Sequence, residues 1–380
     1  MKYVGIDVHK KVCQVAILNE DGDLLEETRF VNTLEGIDEF AEKLSATRED
    51  IYAILESTGN LWVQIHERLE KQGVNVSLSS PSNSRLISDS RLKTDITDAR
   101  ALARLHRAGV LSTCYVPSIE ERSLRELLRH RLVLVKNQTA VRNRVHSLFD
   151  KYSIRIPYAS KFSKKSTKWM KGLSLGFMDD AILRSDLALL EALDAQILYV
   201  EEKLAAIAVD DPLVKLLMSM TGIDYFAALL ILAEIGSVDR FIGDKQFCSW
   251  MGLTPRVWQS GEKIWIGGVG GLGNKRMRWL MVQCAHTARR FDPRMRRLYE
   301  RHAARKGGKC AVAIVAHEMA RILYYMLKRC EPYRCVNMDL WERKPIEVGE
   351  KCISWFAELD WILLGHLCFH TFFHRSLRVS

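Results

Sequence analysis

The chain has 380 residues, 48% of them hydrophobic and 27% charged, a balance that excludes wholesale disorder and leaves room for two or three domains. A formal net charge of +10 favours a polyanionic partner. Nine cysteines, none in a C-x-x-C pair, argue against a disulfide framework and fit reduced thiols.

Strands come first. KYVGID at residues 2–7 is followed by the alternating runs KVCQVAILN and LLEETRFVN, joined through the turn sequence EDGD, so a hairpin is expected. Residues 34–47 predict a helix with Leu34, Ile37, Phe40 and Leu44 on one stripe. A strand at 51–56, an STGN turn, a helix at 61–72 and a strand at 74–79 continue the pattern, which indicates an α/β domain with a mixed sheet. TDITDARALARLHRAG then predicts a helix that starts at Asp95 and ends near Gly109, a C′ glycine.

Four acidic residues stand out in this part. Asp7 closes the first strand, Glu56 closes IYAILE, and Asp95 and Asp98 lie three apart on one face of a helix. A carboxylate at the end of a buried strand works against stability unless it is paired or bound to a metal. Together the four could hold Mg²⁺ or Mn²⁺, whose preference for oxygen ligands suits phosphate chemistry. Taken singly, Asp95 and Asp98 also serve as an N-cap and a first-turn acid, and Asp7 as the start of a turn.

From about 118 to 150 the pattern becomes helical and basic, with Arg122, Arg125, Arg129, Arg131, Lys136, Arg142 and Arg144 alternating with apolar residues. A polar stretch at 151–176 follows. A second helix then shows heptad spacing at Leu190, Leu193, Ile197, Val200, Leu204 and Ile207, which fits an antiparallel helical hairpin or a short intermolecular coiled coil. MTGIDYFAALLILAEIG resembles half of a helix-hairpin-helix, and GLTPRVWQSGEKIWIGGVGGLGN forms a Gly-rich region before a long basic helix. Between Lys275 and Lys309 twelve basic residues face only Asp292 and Glu300, so the basicity of the chain is concentrated there. Lys275, Arg276, Arg278, Arg294, Arg296 and Arg297 are candidate phosphate contacts, as are Arg129, Arg131, Arg142 and Arg144.

The remaining features are weaker. Ser260, in the QSG of an exposed loop, could reach a phosphodiester, although a serine there also suits an ordinary turn and no His base adjoins it. GGVGGLG lacks the G-K-[ST] ending of a P-loop and reads as a flexible loop. His366, Cys368, His370 and His374 have no standard zinc-finger spacing. The apolar stretch Trp361 to Phe373, at about thirteen residues, is shorter than the roughly 20 needed to span a bilayer. The charged opening strand is no signal peptide, so a soluble cytoplasmic protein is expected.

With these residues in place the chain resembles the DEDD-type insertion-sequence transposases, which are viewed as bridge-RNA-guided DNA recombinases. The motifs are GIDVHK at 5–10, LEST at 55–58, KTDITDARALARL at 93–105, LRELLRHRLVLVKNQTAVRNRV, TGIDYFAALLILAEIGSVDRF, GLTPRVWQSGEK and GNKRMRWLMVQCA. They follow the family order over roughly residues 2–330, and the tail beyond shows no family pattern. The resemblance implies an RNase H-like, RuvC-like domain at 1–115, a basic helical or coiled-coil region at 116–210, a mostly α transposase domain at 211–330, and an unassigned tail at 331–380. It also implies that Asp7, Glu56, Asp95 and Asp98 bind Mg²⁺, and that Ser260 is the nucleophile that links covalently to DNA. The expected partners are element-end and target DNA, a non-coding guide RNA and further copies of the chain in a dimer or tetramer, close to the nucleoid.

Three rival readings make different predictions. A RuvC-like structure-selective nuclease would use water and not need Ser260. An actin-like ATPase or sugar kinase also opens with a strand ending in G-[IV]-D, but wants a second Gly-rich phosphate loop that the sequence lacks. A nucleic-acid scaffold would use the acids only as helix caps.

Overall fold

A computed structural model describes residues 1–46, 49–57, 59–79, 94–270 and 273–333, with the backbone of 346–348 and 351–353. It divides into two compact units, Met1–Ser118 and Ile119–Ser380. The Gly-rich stretch therefore lies partly, and the His366–His374 cluster and the Trp361–Phe373 stretch wholly, outside the described residues.

The first unit is built on a six-stranded mixed sheet. Strands β1 (Lys2–Asp7), β2 (Val12–Leu18) and β3 (Leu24–Val31) form the antiparallel meander that the alternation predicts. Gly22, at a φ of 95°, and the Asn19 side chain, which accepts from the Gly22 and Asp23 amides, close the β2–β3 turn. β4 (Ile51–Glu56) and β5 (Asn75–Ser79) run parallel to β1, and the short β6 (Thr113–Cys114) pairs antiparallel with β5. The order is β3-β2-β1-β4-β5-β6. Val4, Ile6, Ala53 and Leu55 are fully buried in the central strands, as expected where both faces of a sheet are covered.

Helices α1 (Leu34–Ser45) and α2 (Trp62–Lys71) bury the stripes Ile37, Phe40 and Leu44 and Trp62, Ile65 and Leu69. Helix α3 (Asp95–Arg107) packs on β1 and β2. Thr94 and Thr97 cap its start reciprocally, and Gly109, at a φ of 66°, follows its end.

The second unit is helical. α4 (Ile119–Lys151) and α6 (Phe177–Val209), with the short α5 (Lys164–Lys171) between them, form an antiparallel pair. The direction is fixed by Arg131–Glu201, Gln138–Asp194, Arg144–Asp186 and Lys151–Asp179, in which one residue number rises as the other falls. The heptad stripe is thus covered within the chain. Ile207 departs from it, being exposed while Ala208 is buried, because the register drifts at the end of the helix.

α7 (Pro212–Met218) turns through Gly222 into α8 (Tyr225–Ile235), every residue of which is buried. α8 is therefore a core element rather than a surface for ligands. α9 (Asp244–Trp250) leads into a two-stranded ribbon of β7 (Pro255–Ser260) and β8 (Lys263–Val269).

The long basic helix expected after the ribbon is broken into α10 (Lys275–Phe291), α11 (Pro293–Lys306) and α12 (Gly308–Arg329). Asp292 caps α11 by accepting from the amides of Arg294 and Met295, and Pro293 takes the first helical position. α12 is long and apolar enough to cross a membrane, but Val315, Met319 and Leu323 on its apolar side are fully buried in the core of this unit. Tyr333 ends the same core by donating to Asp292 Oδ2 at 2.9 Å. β9 (Ile346–Val348) and β10 (Lys351–Ile353) make a further short pair. Among the described cysteines Cys13, Cys114, Cys248, Cys284 and Cys310 are free thiols, whereas Cys330 is disulfide-bonded, a correction to the wholly reduced set expected.

One buried charge holds this unit together. Glu234, with only 4% of its side chain exposed, accepts from Arg129 Nε at 2.9 Å and from Asn274, the N-cap of α10, at 3.0 Å. It ties α4, α8 and α10 at one point. Arg129→Ala strands that carboxylate in the core, at an expected cost of about 3–5 kcal/mol. Urea denaturation measures this directly, and a loss below about 1 kcal/mol would show that the pair is dispensable.

Candidate active site

The end of β1 meets the start of α3 because of Gly5. A Cβ at that position would run into the carbonyl of Ala99 and the amide of Ala103, so only glycine lets the α3 backbone lie against the strand. Ion pairs from Arg100 to Glu27 and a hydrogen bond from Arg107 to the Glu20 carbonyl at 3.0 Å clamp the helix across the hairpin. Gly5→Ala is expected to lower the thermal midpoint and abolish cleavage together, since overpacking costs about 1–3 kcal/mol and here shifts α3 itself. Wild-type cleavage by a Gly5→Ala protein would detach the helix position from the activity.

This packing brings Asp7 and Asp95 together. His9 Nε2 lies 3.0 Å from Asp7 Oδ2 and 3.4 Å from Asp95 Oδ1, and ligand atoms of the three residues all fall within 4.8 Å of one another. Asp7 is 14% exposed, while Asp95 is open to solvent. Burial pushes the Asp7 carboxyl above its ordinary value, His9 opposes the shift, and Asp95 and Asp98 add to it. Asp98 therefore acts on Asp7 through charge. Glu56 belongs to the same strand ends: Ile6 pairs with Leu55, so Asp7 and Glu56 are the next residues on neighbouring parallel strands. The tight cluster contains Asp7, His9 and Asp95, with Asp98 and Glu56 outside it.

The donor set fits a hard divalent cation. Carboxylate oxygens are the ligands that Mg²⁺ or Mn²⁺ takes, and Asp7 and Asp95 offer them here, with Glu56 at the neighbouring strand end and Asp98 one turn along α3. His9 Nε2 lies within reach of both Asp7 and Asp95. Neither His9 nor Gly5 was singled out from the sequence, although both stand in GIDVHK.

Ser260 sits elsewhere, in the second unit, and not in a loop. It is the last residue of β7, paired with Lys263 across a two-residue turn in which Gly261 has a φ of 59°. Its side chain is exposed at the tip of the ribbon.

Family models match both parts of the chain. A DEDD transposase model of the IS110 group covers residues 4–154, which hold all four acids, and a model described as "Transposase IS116/IS110/IS902 family" covers 214–300, which holds Ser260. The chain belongs to the DEDD-type insertion-sequence transposases. Among curated transposases, the putative transposase y4qE of Sinorhizobium fredii is 28% identical over 303 residues, 78% of this chain and 74% of its own length. The transposase for insertion sequence element IS1111A of Coxiella burnetii is 26% identical over 349 residues, 88% of this chain and 92% of its own. Thermus thermophilus RuvC aligns along 100% of its length with 30% of this chain, at 14% identity and a TM-score of 0.25.

The basic residues of this transposase divide into two groups. Arg129 and Arg131 are held by Glu234 and Glu201, Arg144 by Asp186 at 2.6 Å, and Arg142 lies 3.8 Å from Asp194 and 5.4 Å from the Phe162 ring centre. These four arginines brace the helical core, so each would have to leave a carboxylate to meet a phosphate. Arg294 pairs with Glu318 at 2.9 Å, and Arg296 donates to the Arg290 carbonyl. Arg278 is half-buried. Lys275, Arg276 and Arg297 are exposed and pair with no carboxylate among the described residues.

Proposed function

We propose that this transposase cuts and rejoins DNA with a metal-holding acidic site at Asp7, Glu56, Asp95 and Asp98 and with Ser260 as the nucleophile. The observation that carries the reading is the convergence of Asp7 and Asp95, brought from distant parts of the sequence to within 4.8 Å. The strand order of the first unit, in which β2 alone of the first five runs against β1, β4 and β5, supports an RNase H-like reading of that domain.

Asp7, Asp95, Asp98 and Glu56 would hold the ion. When bound, it would stabilise charge on the scissile phosphate and lower the cost of gathering these acids. The Ser260 hydroxyl oxygen forms a bond to phosphorus, the bond from phosphorus to the leaving deoxyribose oxygen breaks, and that oxygen takes up a proton. The hydroxyl's own proton passes to a carboxylate of the acidic site, in the same chain or another protomer, because the ribbon offers no histidine base. The serine phosphodiester keeps the bond energy, so a second deoxyribose hydroxyl can reverse the step without ATP. A non-coding guide RNA and an oligomer of two or four protomers complete the reading, both carried by the family resemblance. Action on chromosomal DNA in a bacterial or archaeal cytoplasm rests on the same resemblance.

The test is Ser260→Ala on a duplex bearing an element end, with Mg²⁺. The serine mechanism predicts no cleavage and unchanged metal binding. Continued cutting would mean that water attacks, as in a structure-selective nuclease.

A further inference from the structure

The β7–β8 ribbon carries more than the serine. It pairs with no other described sheet, and Val257, Trp258, Ile264 and Trp265 stay outside the core of the unit. An isolated two-stranded hairpin is marginal in water and gains nothing from exposing its largest apolar side chains. Trp258 and Trp265 are nevertheless 53% and 54% exposed.

The register explains what these rings share. Trp258 faces Trp265 and Ser260 faces Lys263, so both tryptophans lie on the same face of the ribbon as the serine and the lysine. The guanidinium carbon of Arg256 is 6.0 Å from the centre of the Trp258 ring. Gly267 makes room for that ring, since a Cβ there would stand 2.9 Å from Trp258 Cζ3, so the edge of the indole reaches over this glycine. The face therefore combines two exposed aromatic rings, two cationic side chains and the candidate nucleophile.

We propose that Trp258 and Trp265 form a stacking platform for an unpaired DNA base next to the phosphodiester presented to Ser260. The proposal deepens the serine reading and rests on it for the identity of the strand. Aromatic faces take up unpaired bases because every base has a π-face, while Arg256 and Lys263 match the charge of the flanking phosphates. A base drawn out of the duplex onto the platform would free the backbone beside it and leave that phosphate open to a hydroxyl at the ribbon tip. Trp258 and Trp265 are positioning residues in this account, and Gly267 positions Trp258.

The experiment measures binding of full-length protein to a fluorescent single-stranded DNA oligonucleotide, its RNA counterpart and the corresponding duplex DNA. All variants are made in a Ser260→Ala background, so the platform is tested whether or not Ser260 attacks DNA. Base–aromatic stacking is worth about 1–3 kcal/mol per base, or roughly 5- to 150-fold. Trp258→Ala and Trp265→Ala should each weaken single-stranded DNA binding by a factor in that range, with duplex binding changed by less than about two-fold. Trp258→Tyr should restore most of the loss and Trp258→Leu should not, which separates stacking from simple burial. Gly267→Val should mimic Trp258→Ala. Unchanged thermal midpoints would confirm that each variant is folded, as expected for exposed side chains. Equal losses for duplex DNA, losses confined to RNA, or a fall in oligomeric state with DNA binding intact would each overturn the proposal. The last of these would make the ribbon a contact between copies of the chain.

Discussion

Asp7→Ala should abolish DNA cleavage while leaving the protein folded. Metal-borne stabilisation of a phosphoryl transition state is worth several kcal/mol, and about 4 kcal/mol corresponds to roughly a thousandfold in rate. Asp95→Ala and Asp98→Ala, which remove the two acidic neighbours that raise the Asp7 carboxyl, should follow it, and Glu56→Ala likewise. The metal-free protein should behave in the opposite sense. Since burial and the neighbouring acids raise the Asp7 carboxyl above its ordinary value of 3.8, the folded state holds that proton more tightly than the unfolded chain does. Its contribution to stability is complete below that ordinary value and is lost as pH rises through the raised one. At neutral pH an ionised Asp7 therefore burdens the metal-free fold, and Asp7→Asn should raise the thermal midpoint, by roughly 2–4 °C if about 1 kcal/mol is recovered. Added Mg²⁺ should stabilise the wild type by mass action and Asp7→Asn far less. Differential scanning fluorimetry with and without Mg²⁺ reads both effects. A lower metal-free midpoint in Asp7→Asn would mean that the carboxylate has a structural partner instead.

Binding to DNA should be steeply salt-dependent. If the 275–309 region neutralises about six to ten phosphates, affinity should fall roughly 10³- to 10⁵-fold between 50 and 200 mM salt. Exchanging the exposed Lys275, Arg276 and Arg297 for Gln should reduce the logarithmic slope by about 0.9 for each phosphate left without its cation. Arg131→Gln should leave the slope alone, because its guanidinium already meets Glu201 at 3.0 Å. Fluorescence anisotropy across a salt series measures the slope. An unchanged slope in the triple variant would move the DNA face away from these helices.

The strand ends at Asp7 and Glu56 and the helix start at Asp95 were legible in the chain because alternation, turn residues and capping are local signals. Their convergence depends on Gly5, whose role is a close approach between backbones distant in sequence, and no local pattern reports that. His9 stood within the same motif, but only the fold sets it beside two carboxylates. The arginines of α4 illustrate the reverse difficulty. Charge along a helix says how many cations there are, whereas Glu201, Asp186 and Glu234, which engage them, come from other helices. Glycine in WQSGEKIWIGG masked the ribbon, although PRVWQS and KIWIGGV flank a two-residue Gly-containing turn, a hairpin signal. Pro293 after Asp292 similarly marked the break in the supposed long helix, as an N1 proline behind an N-cap.

Mapping the site of DNA attachment tests the account most directly. Wild-type protein is incubated with Mg²⁺ and a nicked element-end substrate that traps the covalent product, then digested with nuclease and trypsin. Cleavage after Arg256 and Lys263 releases Val257–Lys263, VWQSGEK, in which Ser260 is the only hydroxyl-bearing side chain. Mass spectrometry should find the nucleotide on that peptide, and Asp7→Ala protein should yield none. A nucleotide on another peptide, such as the one holding Ser249, or cut DNA with no modified peptide at all, would contradict the account.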